Sequence, residues 1–426
     1  MAHIHTQVTW GPRTDVRFQE GEESMKFGIN FQLQTPKPLD ADQWHEEDEL
    51  KIYHEALEQI EFADKLGYDY VFITEHHFLE EYCHSSAPEV FLAAAAARTK
   101  NIRLGHGIVQ MPPKQNHPAR VAERIAALDL VSRGRVEFGT GEGATTTEIG
   151  GFLTVHEEKK QAWEEATREC LRMMTSVPYP GYEGKYFSMP ERNVIPKPLQ
   201  KPHPPVWVAS SRSETVMLAA RLGIGALGVG FETPEDTQER VTRYWELVRS
   251  CRQPIGAAVN PGLIAGGNMF CAKTDEEAVT KGLSGAQFFG FVFGWMHGHN
   301  TYGRDNVYRE FRKRADAEDS AEAREAATEL EPEDESARVL YRMGRRGMFI
   351  GSPTFIRENI RQYEAAHLDI LNLFSQCGDR KHEDIMASLE LFAKEVMPEF
   401  KERHPQHQKW REQQLDTIKF PVNSSI

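Results

Sequence analysis

From Met25 onward the chain repeats one pattern: a short apolar run, a polar loop, an amphipathic helix, and a glycine at the helix end that leads into the next apolar run. Eight runs stand out, "KFGINFQL", "YDYVFIT", "NIRLGHGIVQ", "RVEFGTG", "PPVWVAS", "GALGVGF", "AGGNMFCA" and "LDILNLFS". Each is short, rich in β-branched and aromatic residues, and bounded by turn formers, which is how a buried strand reads. In the first intervening helix Tyr53, Ala56, Leu57, Ile60 and Ala63 recur at helical spacing, and Gly67 stands where a left-handed residue would end it. Gly134 and Gly223 repeat that device. Eight strands alternating with helices, and no motif that forces an open sheet, predict a closed (β/α)8 TIM barrel. "AGGNMFCA" is the weakest of the eight, because glycine inside a strand costs pairing and packing.

Three segments fall outside the repeat. Residues 1–24 read as an N-terminal arm, 25–402 as the barrel, and 403–426 as a C-terminal tail that could fold over a neighbour. Between the last two strands, from about 281 to 346, lies an insertion: aromatic and glycine-rich at first, "FFGFVFGWMHGHNTYGR", then highly charged. Insertions between late barrel strands cover the C-terminal mouth, so this one is expected to be a lid; for its charged half a solvated excursion explains the composition equally well.

A formal net charge of −14 over 426 residues, with Lys and Arg scattered, argues against nucleic acid as a partner. Five cysteines, far apart and without a C-x-x-C pair, fit reduced thiols in a cytoplasmic protein better than zinc or a redox motif. No apolar stretch approaches the roughly 18 residues that span a bilayer, so neither a membrane nor a secretory role is expected.

The second run ends in "TEHHF", which places Glu75, His76 and His77 on the barrel face that builds catalytic sites. Adjacent side chains of an extended strand point to opposite faces, so the two histidines cannot easily clamp one metal; an imidazole for proton work remains. "MHGHN" has the H-x-H spacing of metallohydrolases, but His297 and His299 lie in the insertion and not on a strand. Gly139-x-Gly141-x-x-Ala144 matches a dinucleotide fingerprint on paper, yet it follows the fourth strand and does not open a first βαβ unit. A bare loop lying flat against a planar ligand is the better reading. "ASSRSETV" sets Ser210, Ser211, Arg212, Ser213 and Thr215 between a strand and a helix N-terminus, the outline of a phosphate site, with simple helix capping as the alternative. "MPPKQNHP" adds prolines that stiffen a loop at the same mouth.

Taken in order from Met25 to about Glu402, "MKFGINF", "TEHHF", "IRLGHGIVQMP", "LDLVSRGRVEFGTGEG", "PPVWVASSRSETVMLAARLG", "IGSPTFIRENI" and "SLELFAKEVMPEF" resemble the bacterial luciferase-like family of flavin-dependent monooxygenases. The resemblance implies a TIM barrel that binds FMN as FMNH2, delivered by a separate NAD(P)H:flavin reductase, and that forms a C4a-peroxyflavin with O2 to oxygenate a small organic substrate. The aromatic insertion suggests an apolar or aromatic one. It carries the catalytic role onto His76, with His77 beside it, and cofactor binding onto Glu75, Gly107, Ile108, Gly141, Glu142, Ala209, Ser211, Arg212 and Thr215. It also implies a cis peptide at Gly107–Ile108 and pairing as a homodimer through the early helices. Where luciferase has a reactive cysteine and a basic residue this chain has Gly141 and Glu142, and a Glu–Ser pair is replaced by Ser211–Arg212. Phosphate binding would therefore pass to Arg212. The alternatives are hydride transfer with a deazaflavin or nicotinamide, and a catalytically silent flavin-binding subunit.

Overall fold

The computed structural model describes residues 25–228, 233–298, 304–318 and 349–426. Eight strands, β1 (Lys26–Phe31), β2 (Tyr70–Ile73), β3 (Arg103–His106), β4 (Val136–Gly141), β5 (Val206–Ser210), β6 (Gly225–Gly228), β7 (Leu263–Cys271) and β8 (Ile370–Phe374), pair in chain order, all parallel. The ring closes where β8 pairs with β1, Lys26 opposite Ile370. This is the expected TIM barrel, with all eight runs in it. The "NIRLGHGIVQ" run breaks at Gly107–Ile108, and its second piece, Val109–Gln110, pairs with the end of β4. The glycine-bearing β7 is the longest of the eight. Every residue in it is buried, and the short strand Phe349–Gly351 joins β6 and β8 as a third partner, so pairing on both edges offsets what its glycines lack.

Around the barrel run α1 (Asp48–Leu66), α2 (Pro88–Arg98), α3 (Pro118–Val131), the short α4 (Thr146–Gly151), α5 (Lys159–Thr175), α6 (Ser213–Leu222) and α7 (Pro234–Arg249). Gly67 and Gly223 end α1 and α6 in the left-handed conformation, φ 85° and 70°. The barrel interior is filled by Tyr70, Phe72, Trp207, Leu227, Ile264 and Ile370. Large and small residues alternate across it: a Cβ on Gly105 would sit 2.2 Å from the Phe72 ring, so β3 must be bare there.

The insertion between β7 and β8 begins as α8 (Asp275–Gly298), followed by α9 (Val307–Glu318). The aromatic run expected to be a lid is thus a helix, and Phe288, Phe289, Val292 and Met296 pack it onto Leu79, Tyr82 and Phe374 at the mouth. The buried carboxylate of Glu81 accepts the backbone N–H groups of Val307 and Tyr308 at the start of α9 and that of Lys37 in the β1–α1 loop. Asn306 Nδ2 reaches the carbonyls of Pro38 and Ala41, and Tyr308 Oη donates to Asp379 Oδ2 at 2.6 Å. His299, the charged half of the insertion from 319 and the arm 1–24 lie outside the described residues.

α10 (Pro353–Ala365) leads into β8, and α11 (His382–Glu395) and α12 (Met397–Leu415) follow it. α12 runs unbroken across the boundary expected at 402/403, and the tail folds onto its own barrel. Val422 bridges Val259, Ser425 O accepts Lys26 Nζ and Tyr70 Oη at 2.7 and 2.8 Å, and Ile426 joins the interior cluster from below.

Candidate active site

β2 ends at Ile73, and residues 74–85 form a tight loop closed by His76 N donating to Ser85 O at 3.0 Å and Ser85 Oγ to Thr74 O at 2.7 Å. Two non-glycine residues here have positive φ, Phe78 at 64° and Glu80 at 40°, a cost that the surrounding contacts must hold in place. The loop sets the two histidines on different partners, as strand alternation predicts. His76 Nδ1 lies 3.0 Å from Glu148 Oε1, and His77 Nε2 lies 3.1 Å from Glu75 Oε1. These are two carboxylate–imidazole pairs side by side at the mouth.

Glu148 was not legible as a site residue. It is fully buried and gathers four donors: the His76 ring, His77 N at 3.1 Å, Gln110 Nε2 at 2.5 Å and Thr145 Oγ1 at 2.7 Å. Burial raises its carboxyl, but the adjacent His76 ring and the bonds from Thr145 and Gln110 outweigh that and hold it at about 2. A depressed carboxyl stabilises the fold fully above the ordinary value of about 4.3, and that contribution is lost as pH falls towards the depressed one. The only sequence signal was T-x-x-E at the start of α4. Thr145 does cap the helix, accepting from Glu148 N, but the Glu148 side chain turns towards His76. Gln110 also donates to Glu75 O, and Asn116 Nδ2 to Glu75 Oε1 at 2.8 Å, so the Gly107–Asn116 stretch braces both pairs.

Among the described residues only X–Pro bonds are cis, at Val177–Pro178, Ile195–Pro196 and Lys201–Pro202. The cis peptide expected at Gly107–Ile108 is therefore absent; the trans chain keeps Gly107 N on Ile73 O at 2.7 Å, continuing the β2 ladder. The β4 glycines also have a packing cause. A Cβ on Gly139 would lie 1.8 Å from His106 O, and one on Gly141 2.5 Å from Ile108 Cδ1, so the neighbouring segment already demands bare backbone, whatever lies above. Glu142 pairs with Lys159 Nζ at 3.4 Å. Ala209 is the last residue but one of β5, while Ser211 and Arg212 lie exposed before α6 and Thr215 sits in its first turn. No hydrogen bond or ion pair among the described residues joins this group to the histidine pairs.

The mouth also has unfilled polar atoms. Asn30 Nδ2, Asn268 Nδ2, Asn372 Oδ1 and Ser375 Oγ are buried without partners on β1, β7 and β8 and just beyond. Asn30 and Asn268 both lie level with Phe374. Amide donors and acceptors in a ring of strand ends suit the polar edge of a flavin, and an arginine beside a helix N-terminus suits its phosphate. Among the described residues no helix is long and apolar enough to cross a membrane.

A parallel eight-stranded barrel with paired histidines and carboxylates at its C-terminal mouth has the frame of a TIM-barrel active site. Residues 25–369 match the model of the luciferase-like monooxygenases, and the chain belongs to that family. It is 25% identical over 360 residues to the oxygenase component of flavin-dependent trigonelline monooxygenase from Acinetobacter baylyi, covering 83% of this chain and 91% of that protein. A curated relative at 33% identity is matched over only 54% of its length. Two solved structures share the fold: the oxygenating constituent of 3,6-diketocamphane monooxygenase from Pseudomonas putida (TM-score 0.65, 21% identity, 89% of this chain and 99% of that one) and the coenzyme F420-dependent tetrahydromethanopterin reductase of Methanopyrus kandleri (TM-score 0.61, 20% identity, 89% and 100%).

Proposed function

We propose that this chain is the oxygenase component of a two-component system, using FMNH2 from a separate NAD(P)H:flavin reductase to place one atom of O2 in a small apolar or aromatic substrate. The observation that carries it is the His76–Glu148 pair at the mouth of a barrel of this family. The trigonelline relative, named as a flavin-dependent oxygenase component, supports the class of reaction.

Reduced FMN, when bound, supplies the two electrons that activate O2. The chain's own residues do the rest. Ser211, Arg212 and the α6 N-terminus would hold the phosphate, with Thr215 and Ala209 alongside; the unfilled amides of Asn30, Asn268 and Asn372 would meet the ring's polar edge, near Gly107, Ile108 and Gly141. Glu148 accepts from His76 Nδ1 and so leaves Nε2 as the atom that takes or gives a proton. Tyr82 packs edge-on to His76 at 5.4 Å and against Phe289 and Phe293 of α8, an apolar wall that keeps water from the reacting centre.

The test is to mix protein, FMNH2 and O2 with candidate substrates in a stopped-flow instrument, following flavin absorbance, product and H2O2. Wild type should show a transient distinct from reduced and oxidised flavin, and His76→Ala should lower product yield by about 10²-fold with H2O2 in its place. Oxidation of FMNH2 at its free-solution rate, with no transient and no product, would sink the proposal. Turnover of a reduced deazaflavin without O2 would place the chain on the hydride-transfer side of its fold relatives.

A second copy would pair across α2 and α3, where Val90, Leu130 and Val131 stand exposed. Light scattering should then return the mass of two chains at micromolar concentration, and a single-chain mass would remove the homodimer.

A further inference from the structure

His77, the second ring of the triplet, has its proton placed by a chain of groups behind it. Arg124, on α3, can only donate. Its Nη2 reaches Asn116 Oδ1 at 2.5 Å, so the Asn116 amide turns its oxygen to Arg124 and its Nδ2 to two acceptors, Glu75 Oε1 at 2.8 Å and Gln110 O at 2.9 Å. Glu75 Oε2 accepts Gln110 N at 3.3 Å. With donors on both oxygens, the buried Glu75 carboxylate offers His77 only a lone pair, and at their 3.1 Å contact it is His77 Nε2 that donates. In the uncharged ring Nδ1 is then bare. Among the described residues Nδ1 makes no hydrogen bond, and it is not one of the buried unpartnered atoms, so it is open at the mouth. The two histidines thus present opposite nitrogens, Nε2 of His76 and Nδ1 of His77.

An aromatic shelf stands beside this ring. Phe152 meets His77 edge-on with centroids 4.9 Å apart, and Phe78 lies 5.9 Å from His77 and 5.3 Å from Phe152. Phe78 is more than half exposed and is held at φ 64°, a conformation that costs a phenylalanine free energy which its own burial does not return. A Cβ on Gly151 would lie 2.5 Å from the Phe78 ring, so the loop is bare where that ring rests. A strained, exposed aromatic next to an open acceptor suits an aromatic molecule that carries a hydrogen-bond donor. We propose that His77 is a substrate-binding residue: its Nδ1 accepts a hydrogen bond from the O–H or N–H of an aromatic substrate resting on Phe78 and Phe152, and Glu75 is the positioning residue that keeps this nitrogen bare. The site rests on the oxygenase function proposed above and narrows its substrate from apolar or aromatic to aromatic with an O–H or N–H group.

Both arms of the test use the flavin-free protein and need no turnover. In the first, NMR of the histidine ring nitrogens at about pH 8, above the ordinary histidine range, identifies His77 by the signals lost in His77→Phe. Wild type should show Nε2 protonated and Nδ1 bare, and a proton on Nδ1 overturns the proposal. Glu75→Gln sets an N–H where one carboxylate oxygen stood, so the two ring tautomers should mix; an unchanged His77 signal removes Glu75 as the positioning residue. In the second arm phenol and its methyl ether, anisole, are titrated onto the protein. Phenol should move the bare Nδ1 signal and bind about fivefold more tightly than anisole, the difference made by one hydrogen bond, and His77→Phe should abolish that preference. Equal binding of the two probes by wild type, or a Nδ1 signal that phenol does not move, overturns the proposal. A wild type that passes both arms yet oxygenates nothing would defeat the function proposed above and leave the donor site standing; one that oxygenates but binds the probes alike would defeat the donor site alone.

Discussion

Asp369→Ala is expected to destabilise the protein by about 3–5 kcal/mol, the usual result of removing one partner of a buried ion pair. Asp369 lies at the base of the barrel, just before β8, and is completely buried. Its Oδ1 accepts Arg411 Nη1 at 2.7 Å and lies 3.1 Å from His407 Nε2, and its Oδ2 accepts Leu263 N at 2.8 Å. Arg411 is buried too, resting over the Trp245 ring and reaching Pro261 O and Ser424 Oγ. Truncating Asp369 leaves a guanidinium in the interior with no counter-charge, and frees the helix and tail it anchors. Burial alone would raise the Asp369 carboxyl, but Arg411 and His407 lower it on balance. A lowered folded value means stability that is full above the ordinary aspartate range and drains as pH falls below it, and Asp369→Ala should flatten that part of the stability–pH curve. Urea denaturation measures both effects, and a loss below about 1 kcal/mol, the level of a surface change, would show that the anchor carries no weight.

Glu81→Ala is the second large effect, and a local one. Three backbone donors, on Lys37, Val307 and Tyr308, lose their acceptor, and each buried unmet donor costs about 1–3 kcal/mol. Lys37 keeps Glu80 and Asp305 O, so the β1–α1 loop stays partly tied. The expected result is that α9 opens while the barrel stays folded, because Glu81 joins the insertion to loops and not to strands. Hydrogen exchange across 304–318 should accelerate about 100-fold with little change at β1 or β8. Burial raises the Glu81 carboxyl against the pull of those N–H groups and Lys37. A raised folded value gives stability that is full below the ordinary glutamate range and declines as pH climbs through the raised value, so α9 should be better protected in mild acid. Unchanged exchange in Glu81→Ala would mean that apolar packing alone seats the helix.

The barrel was legible because each strand carries its own evidence, a run and a terminating glycine, and because eight such units leave one economical closure. Even β7, discounted for its glycines, obeyed that logic once neighbours on both edges are considered. That Glu75, His76 and His77 stand at the barrel mouth was legible from position, and strand alternation rightly separated the two rings. Glu148, Gln110 and Asn116 were not, because their meeting depends on how three loops fold over one another, and short-range pattern does not carry that. The β4 glycines carry a second cause that the local pattern did not show: close contacts with His106 and Ile108 demand bare backbone there, whatever lies above. Composition alone did not give the secondary structure of the aromatic insertion, expected as a lid; tertiary burial of Phe288, Phe289 and Val292 goes with a helix there in spite of the scattered glycines.

The tail that closes the base of the barrel sets an order for biosynthesis. Ile426 lies among Tyr70, Trp207 and Ile264, and a Cβ on Gly262 would collide with it, so the floor of the interior is shaped around a side chain made long after its neighbours. While the ribosome still holds residues 416–426, the nascent barrel has an open lower end with Tyr70 and Trp207 facing water. Those rings are covered only once Ile426 has been made and drawn inside.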